Sequence, residues 1–575
     1  MDAEWKGSPV VVEKGRDREF RFPQISYVDY KQIEIDRTLL NLFPRLKYNG
    51  YLGRVKKQPF QLTIEEFLAE FTDEKYKDVF VGFAEHKEIL YKWLETDLLD
   101  LVNRGHPTKQ AVVSPRPLHG NTYKFRNAPH ARDYGTAEQV YWMLDHAQKG
   151  TVALSELKKF LFLGLDSYTD KIQLTTKIDV ETQAILFLDE QVKDDISDSS
   201  KNLERYPPLC IHQANIFAED ILCLLAYENY IPRSVLVDYL KTLFAFHLAL
   251  YHLHLFKLLP ELVKRQRSGL TCQVKGCPLA LAKMSAQADC AYHTGLVVEM
   301  GEPSNTHMME LACRSADTHY RRIPSFIQAQ FIIKNLDDMA KALDKISKVS
   351  LPAKGYFSVV ELLPFMDNAY SNERNNFFEK RRLELIEKSE RNGELSPELK
   401  RVKDVVSDHF EACIEMLMVE RGSFYRRYIT ECIDSLLLKN RESGLLHRSR
   451  TRETQRQRRF TLGSRLLEVL LQIVVLKPQG TSFVTREVRV DDLLAFLRKR
   501  YGLYIDCLPA GDGFGRPSIT DLQALSRNKE AFKMRLREIG FFQDLSDAYV
   551  TQTIIPRYTI TADGGVNKKT LGEKK

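Results

Sequence analysis

Glycine and proline are scarce in this 575-residue chain, at 28 and 22, and tryptophan occurs three times. That scarcity disfavours a turn-dense fold. Together with long runs rich in Leu, Glu, Lys and Arg, it points to helix. No stretch reaches the roughly 18 uncharged apolar residues that a membrane-crossing helix needs. The nearest, Thr242–Phe256, is 15 residues long, holds three histidines and lies between Lys241 and Lys257. It reads as a buried core helix, and no membrane partner is expected. Charge of one sign is also missing. Lys and Arg number 84 against 77 Asp and Glu, and a net +7 permits a polyanionic partner without requiring one.

Cysteine is sparse too, with nine spread over the chain. The start, MDAEWKGSPVVVEKGRDREF, is polar and charged and lacks the apolar run of a secretory signal. The thiols are therefore expected to be reduced, in a cytoplasm. Hydrolase, kinase and nucleotide-loop signatures are absent: there is no G-x-S-x-G, no Walker A, no kinase set and no convincing D-x-D pair. A non-catalytic role is favoured over an enzyme.

What is present suggests three or four domains for this length. The reading is mainly α and multi-domain. Residues 1–130 form an N-terminal mixed α/β domain and 131–350 a helical core domain. Residues 351–447 form a long-helix region. Residues 448–562 hold a basic segment and a winged-helix-like domain, and 563–575 a disordered tail. Thr63 with Glu66 three residues on is a capping box opening a helix. Residues 104–135 are rich in Pro, Gly and basic side chains and read as an irregular surface loop. Residues 189–201, DEQVKDDISDSSK, read as an exposed acidic loop or linker. The helix from Ser234 to Arg265 is apolar on nearly every face, the mark of a bundle core.

Directly after it come Cys272, Cys277, Cys290 and His293, spaced C-x4-C-x12-C-x2-H. Thiolate and imidazole suit tetrahedral zinc, and Cys₃His is a structural combination. Lys275 and Gly276 suit the tight turn of a first knuckle, and the residues between the pairs suit a short helix. With four protein ligands and no open position, such a zinc would be structural. The alternatives are three buried thiols of the ordinary kind, or redox use. Cys210, His212 and Cys313 are substitute ligands. His247, His252 and His254 read as buried, hydrogen-bonded histidines rather than ligands.

From Arg448 to Arg459 there are six arginines and one glutamate. Beyond them the order helix, short strand, helix, helix and β-ribbon is that of a winged helix. Ser518 caps the third helix with Asp521 three residues later, and Gly540 ends it. Leu522, Leu525, Phe532, Leu536 and Ile539 form its expected buried stripe. Lys529, Lys533 and Arg537 stack at i, i+4 and i+8. With Arg448, Arg450, Arg456, Arg458 and Arg459, they are the candidate phosphate contacts of a DNA partner. The competing reading is solvation, or a winged helix that binds protein. GDGFGRPS, 511–518, precedes a helix N-terminus but lacks the P-loop Lys-Ser/Thr pair, and reads as a loop. Arg314 with His319, and Arg441 with His447, match the loose Arg/His spacing of some helical ribonucleases. They supply the alternative of a nuclease effector.

Several stretches carry a family resemblance. They are ISYVDYKQIEID (25–36), GLVVEMG (295–301), SADTHYRRIPSFI (315–327), RKRYGLYID (498–506) and IGFFQDLSDAYVTQTIIPRY (539–558). Together they resemble a component of the bacterial methylation-associated anti-phage defence systems. The resemblance spans most of the chain, and none of the stretches is a catalytic signature. It implies a bacterial cytoplasmic protein working beside a DNA methyltransferase and other defence proteins, in sensing or handling foreign DNA. The expected function is a non-catalytic DNA-binding or scaffolding component. The alternatives are a nuclease effector with a helical Arg/His site and a pure protein-interaction scaffold.

Overall fold

The computed structural model describes residues 20–58, 60–106, 108–165, 172–173, 178–189, 192–197, 205–265, 293–301, 306–391, 396–438, 440–448, 457–480, 482–542 and 553–561. The N-terminal elements are α1 (Ile35–Lys47), β1 (Gly53–Val55), α2 (Ile64–Phe71), α3 (Lys87–Trp93), β2 (Leu99–Val102) and β3 (Ala111–Pro115). Next come α4 (Thr136–Asp145), α5 (Gly150–Leu161), α6 (Val180–Asp189) and β4 (Asp194–Ile196). The centre holds α7 (Ile211–Leu225), α8 (Arg233–Arg265), β5 (Leu296–Val297), α9 (His307–Tyr320) and α10 (Ile323–Lys345). Then follow α11 (Val359–Leu362), α12 (Ser371–Arg391), α13 (Pro397–Val405) and α14 (His409–Leu437). The C-terminal part runs β6 (Leu446–Arg448), β7 (Arg458–Phe460), α15 (Ser464–Val474), β8 (Leu476–Gln479) and β9 (Ser482–Thr485). It ends with β10 (Val488–Arg489), α16 (Val490–Tyr501), β11 (Leu503–Tyr504), α17 (Ile519–Glu538) and β12 (Thr553–Ile554).

The class is mainly α. Among the described residues every sheet is a pair of short strands. Pairs β1–β4, β2–β3, β6–β7, β8–β9 and β10–β12 are antiparallel, and β5–β11 is parallel.

Helix α8 is the axis of the molecule. Pro232 has no backbone N–H to donate and sits just before its start. Helices α7, α10, α14 and α15 pack around it. It is the one described helix long and apolar enough to cross a membrane by length and composition, and 94% of its most apolar window is buried against protein. One continuous core takes residues from Phe20 to Ile554, so all four segments expected as domains contribute to it. A smaller core joins α2, α3, β2, β3 and α6.

Two loop expectations are corrected. Residues 104–135 contain β3 and a buried turn in which Asn121, Thr122, Tyr123, Lys124 and Phe125 are all inside. Residues 189–201 contain β4, which pairs with β1. Asp189 binds Lys124 at 2.9 Å, and Asp194 binds Lys47 at 3.3 Å while accepting from the Tyr48 and Tyr123 hydroxyls. Lys124 of the first segment meets Asp189 and Asp194 of the second, so these parts of both are drawn inside, while Asp195 stays exposed.

Of the two expected capping boxes, the one at Ser518 forms in full and the one at Thr63 forms by half. Thr63 Oγ1 accepts from Glu66 N, and Ser518 and Asp521 bond reciprocally at the start of α17. Gly502 takes φ +71° after α16, the left-handed stop that glycine adopts without strain. The C-terminal elements do not follow the expected order of helix, short strand, helix, helix and β-ribbon throughout. The β8–β9 hairpin falls between the first two helices, and β12 pairs with β10 across α16 and α17. This segment is also tied to the centre by β5–β11 and by α17 against α9.

Candidate functional site

The basic residues picked out from sequence divide into three groups. Arg450 and Arg456 lie outside the described residues, as do Cys272, Cys277 and Cys290. Arg448, Arg458 and Arg459 lie on the β6–β7 hairpin, and each meets a carboxylate. Asp434, buried near the end of α14, accepts from Arg458 through both oxygens, at 2.9 and 2.7 Å, and from Arg448 at 3.3 Å. The Tyr320 hydroxyl donates to the same carboxylate at 2.8 Å, and the Arg458 guanidinium lies 4.8 Å from the Tyr320 ring centre. Arg459 pairs with buried Glu299 at 2.9 Å. Burial raises the Glu299 carboxyl and the arginine opposes that. These three guanidiniums hold the hairpin to α9 and α14.

The third group lies on α17. Leu525, Asn528, Phe532 and Leu536 form its inner face. Asn528 is the polar centre of that face. Its amide donates to the carbonyls of Val298 and Ile505, both at 2.8 Å, and accepts from Met300 N at 2.8 Å. Leu522, expected inside, is 54% exposed. The helix is rotated toward Asn528, whose three bonds outweigh one leucine. Lys529, Lys533 and Arg537 follow one another along the flank. Lys529 pairs with Asp491 at 2.8 Å, Lys533 with Glu530 at 2.7 Å, and Arg537 lies over the Phe542 ring.

The Arg/His pair of α9 is committed to structure. His319 is fully buried. Its Nε2 donates to Gly295 O at 2.9 Å, and its Nδ1 accepts from Arg322 at 3.0 Å. Burial, then the guanidinium, push it down to about 4. Arg314 donates to Gly513 O and lies 5.0 Å from the Phe514 ring centre. The loop 511–515 is held by Asp512, in the left-handed region at φ +51°. Asp512 accepts from Gly295 N, Lys257 and Arg322 at 2.8, 2.9 and 2.6 Å. Burial would raise its carboxyl, but these donors hold it down at about 2. The GDGFGRPS segment is thus a staple between α8, α9 and α17, and sequence reasoning missed its central residue. The signal was a lone Asp between two glycines.

His293 lies beside Gly502, and its carbonyl accepts from Lys257 at 2.9 Å. Among the described residues, no group of three or more His, Cys, Asp or Glu side chains is arranged to hold a metal ion. His247 and His252 are buried and hydrogen-bonded, as the sequence implies.

A family model for the methylation-associated defense system protein MAD7 matches residues 15–558. The chain belongs to the MAD7 family. This confirms the resemblance and makes the MAD7-family chain a component of a defence system, with other proteins of that system as partners. No match was found among curated proteins or among solved structures.

The buried histidines give a pH prediction. His252 donates from Nδ1 to Leu248 O and faces Ser26 Oγ at 3.0 Å, and burial pushes it down to about 4. An unfolded histidine titrates near 6.5. The depressed folded value means that this stability is full above about pH 6.5 and is lost as pH falls toward 4. His252 and His319 each carry about 3 kcal/mol over that window. Melting curves from pH 7 to 4 should show His252→Gln losing stability less steeply than wild type. An equal slope would remove His252 as a titrating group.

Proposed function

We propose that this MAD7-family chain is a non-catalytic, DNA-binding scaffold of its defence system, working in the cytoplasm. The observation that carries this reading is the line Lys529, Lys533 and Arg537 on a 20-residue helix whose opposite face is fixed. The acids beside the two lysines, Asp491 and Glu530, are about two-thirds exposed. The Lys529 and Lys533 side chains themselves are 30% and 14% exposed, so in this proposal a phosphate reaches them by displacing those exposed carboxylates. The α17 part is winged-helix-like in this proposal, with α17 as the contacting helix.

The test is fluorescence anisotropy with a labelled duplex over a salt series. Wild type should lose affinity steeply with salt. Changing Lys529, Lys533 and Arg537 together to Ala should weaken binding about ten-fold or more, and lower the log–log salt slope by up to about 2.7, near 0.9 per phosphate. Unchanged binding would sink the assignment of α17.

A second reading, a scaffold that binds protein alone, is favoured by Ile519, Leu522 and Met534, apolar side chains left exposed on the same helix. Wild type that binds no duplex at low salt would select it. The nuclease alternative has less support, because both nitrogens of His319 are occupied away from solvent.

Structural zinc held by Cys272, Cys277, Cys290 and His293 is also part of the proposal. Metal analysis of purified protein should find about one zinc, lost with stability in Cys290→Ser. Metal-free and fully stable wild type would leave three ordinary thiols.

A further inference from the structure

Helix α14 turns adjacent aromatics in opposite directions. Tyr425 faces inward, stacked on Phe20 with ring centres 3.8 Å apart and next to Phe331. Phe424 faces outward, 42% exposed, and belongs to none of the apolar cores. Tyr428, one turn on, lies beside it with ring centres 4.5 Å apart. Arg421, Phe424 and Tyr428 are at i, i+3 and i+7, so they share a side of the helix.

Cations surround the rings. The Lys31 ammonium sits 3.6 Å from the Tyr428 ring centre and 5.6 Å from that of Phe424. The Arg427 guanidinium lies 5.6 Å from the Tyr428 ring centre. Arg426 is exposed too, but two residues from each ring it projects from a different side of the helix. Glu431 pairs with Arg427 at 3.2 Å, while Glu420 is turned to Ser389. Lys31, Arg421 and Arg426 form no ion pair among the described residues. A cation over a ring is not offset by an opposite charge, as one beside a carboxylate is. The patch therefore offers a flat apolar face inside a positive rim.

We propose that Phe424 and Tyr428, with Lys31, Arg421 and Arg427, form a binding site for single-stranded DNA. The inference rests on the nucleic-acid reading above and adds a second contact, on α14. Charge complementarity sets the class of partner. A phosphate backbone answers the three cations, and an unpaired base answers the exposed ring, since every base has a face to stack. A duplex hides those faces and would use the cations alone.

The test compares a labelled oligothymidylate of about twenty nucleotides with a duplex of the same length, using the full chain. Wild type should bind both. Phe424→Ala should weaken binding of the single strand about ten-fold and leave the duplex unchanged, whereas Phe424→Trp should retain both. Arg427→Ala, at an exposed site, should weaken the single strand with an unchanged melting temperature. Equal single-strand affinity of wild type and Phe424→Ala would overturn the site, as would wild type that binds only the duplex. In that second case duplex binding that still depends on α17 would leave the earlier proposal standing. Binding of neither probe would remove both.

Discussion

Replacing Asp220 with alanine is expected to cost about 3–5 kcal/mol of folding stability. The carboxylate is wholly buried where α7, α8 and α16 meet. It accepts from Tyr501 Oη at 2.7 Å, from Arg500 Nε at 3.0 Å and from His247 Nε2 at 3.0 Å. Gln213 Nε2 then donates to His247 Nδ1 at 2.8 Å, which fixes the ring's tautomer. Burial alone would raise the Asp220 carboxyl, but Arg500 first, then His247 and Tyr501, hold it below the usual range. Without it, Arg500 keeps only Glu219 and a distant carbonyl, and the imidazole and phenol lose a partner inside the core. Urea unfolding would measure the loss as a fall in midpoint at constant slope. Asp220→Leu with Arg500→Met should recover only the part due to the orphaned guanidinium, because His247 and Tyr501 still lack their acceptor. A single mutant within about 1 kcal/mol of wild type would mean that the network holds nothing together.

Asp434→Ala is expected to be the second largest loss, about 3 kcal/mol. Three donors converge on this carboxylate, from Tyr320, Arg448 and Arg458. Arg458 keeps some access to water, at 20% exposure, so the orphaned charge costs less than in the fully buried network. The change should loosen the β6–β7 hairpin, read out as faster proteolytic cleavage between about residues 441 and 461. Arg458→Ala gives the complementary result. It should lower the melting temperature while leaving the salt slope of DNA binding unchanged. A reduced slope with unchanged melting would return Arg458 to the phosphate contacts.

These two carboxylates mark what the sequence makes legible and what it hides. Local devices were readable: Thr63 with Glu66, Ser518 with Asp521, and Gly502 act within four residues of themselves. The burial of α8 was readable because its composition is apolar all round. The partners of Arg448, Arg458 and Arg459 were not. Nothing near Arg458 and Arg459 in the chain announces that Asp434 and Glu299 lie opposite them. The same holds for the segment from Asn121 to Phe125, which looks polar until Asp189 and Asp194 are placed against it. Counting apolar residues also misplaced Leu522 on α17. It ignored an asparagine whose three hydrogen bonds make it an inward residue. At the candidate surface on α14, the signal was the stretch SFYRRY, aromatics interleaved with arginine, overlooked because it also suits a plain helix.

The parallel pairing of Leu296 and Val297 with Leu503 and Tyr504 joins strands about two hundred residues apart. Ribosomes add about 5–20 residues per second, so the first strand waits about 10–40 s for the second to be made. Through that interval Leu296 and Val297, fully covered in the finished protein, have no strand to pair with. Synthesis of this chain therefore contains a built-in delay. The length of the translation pause, rather than the strength of any contact, sets how long this edge is open to wrong partners.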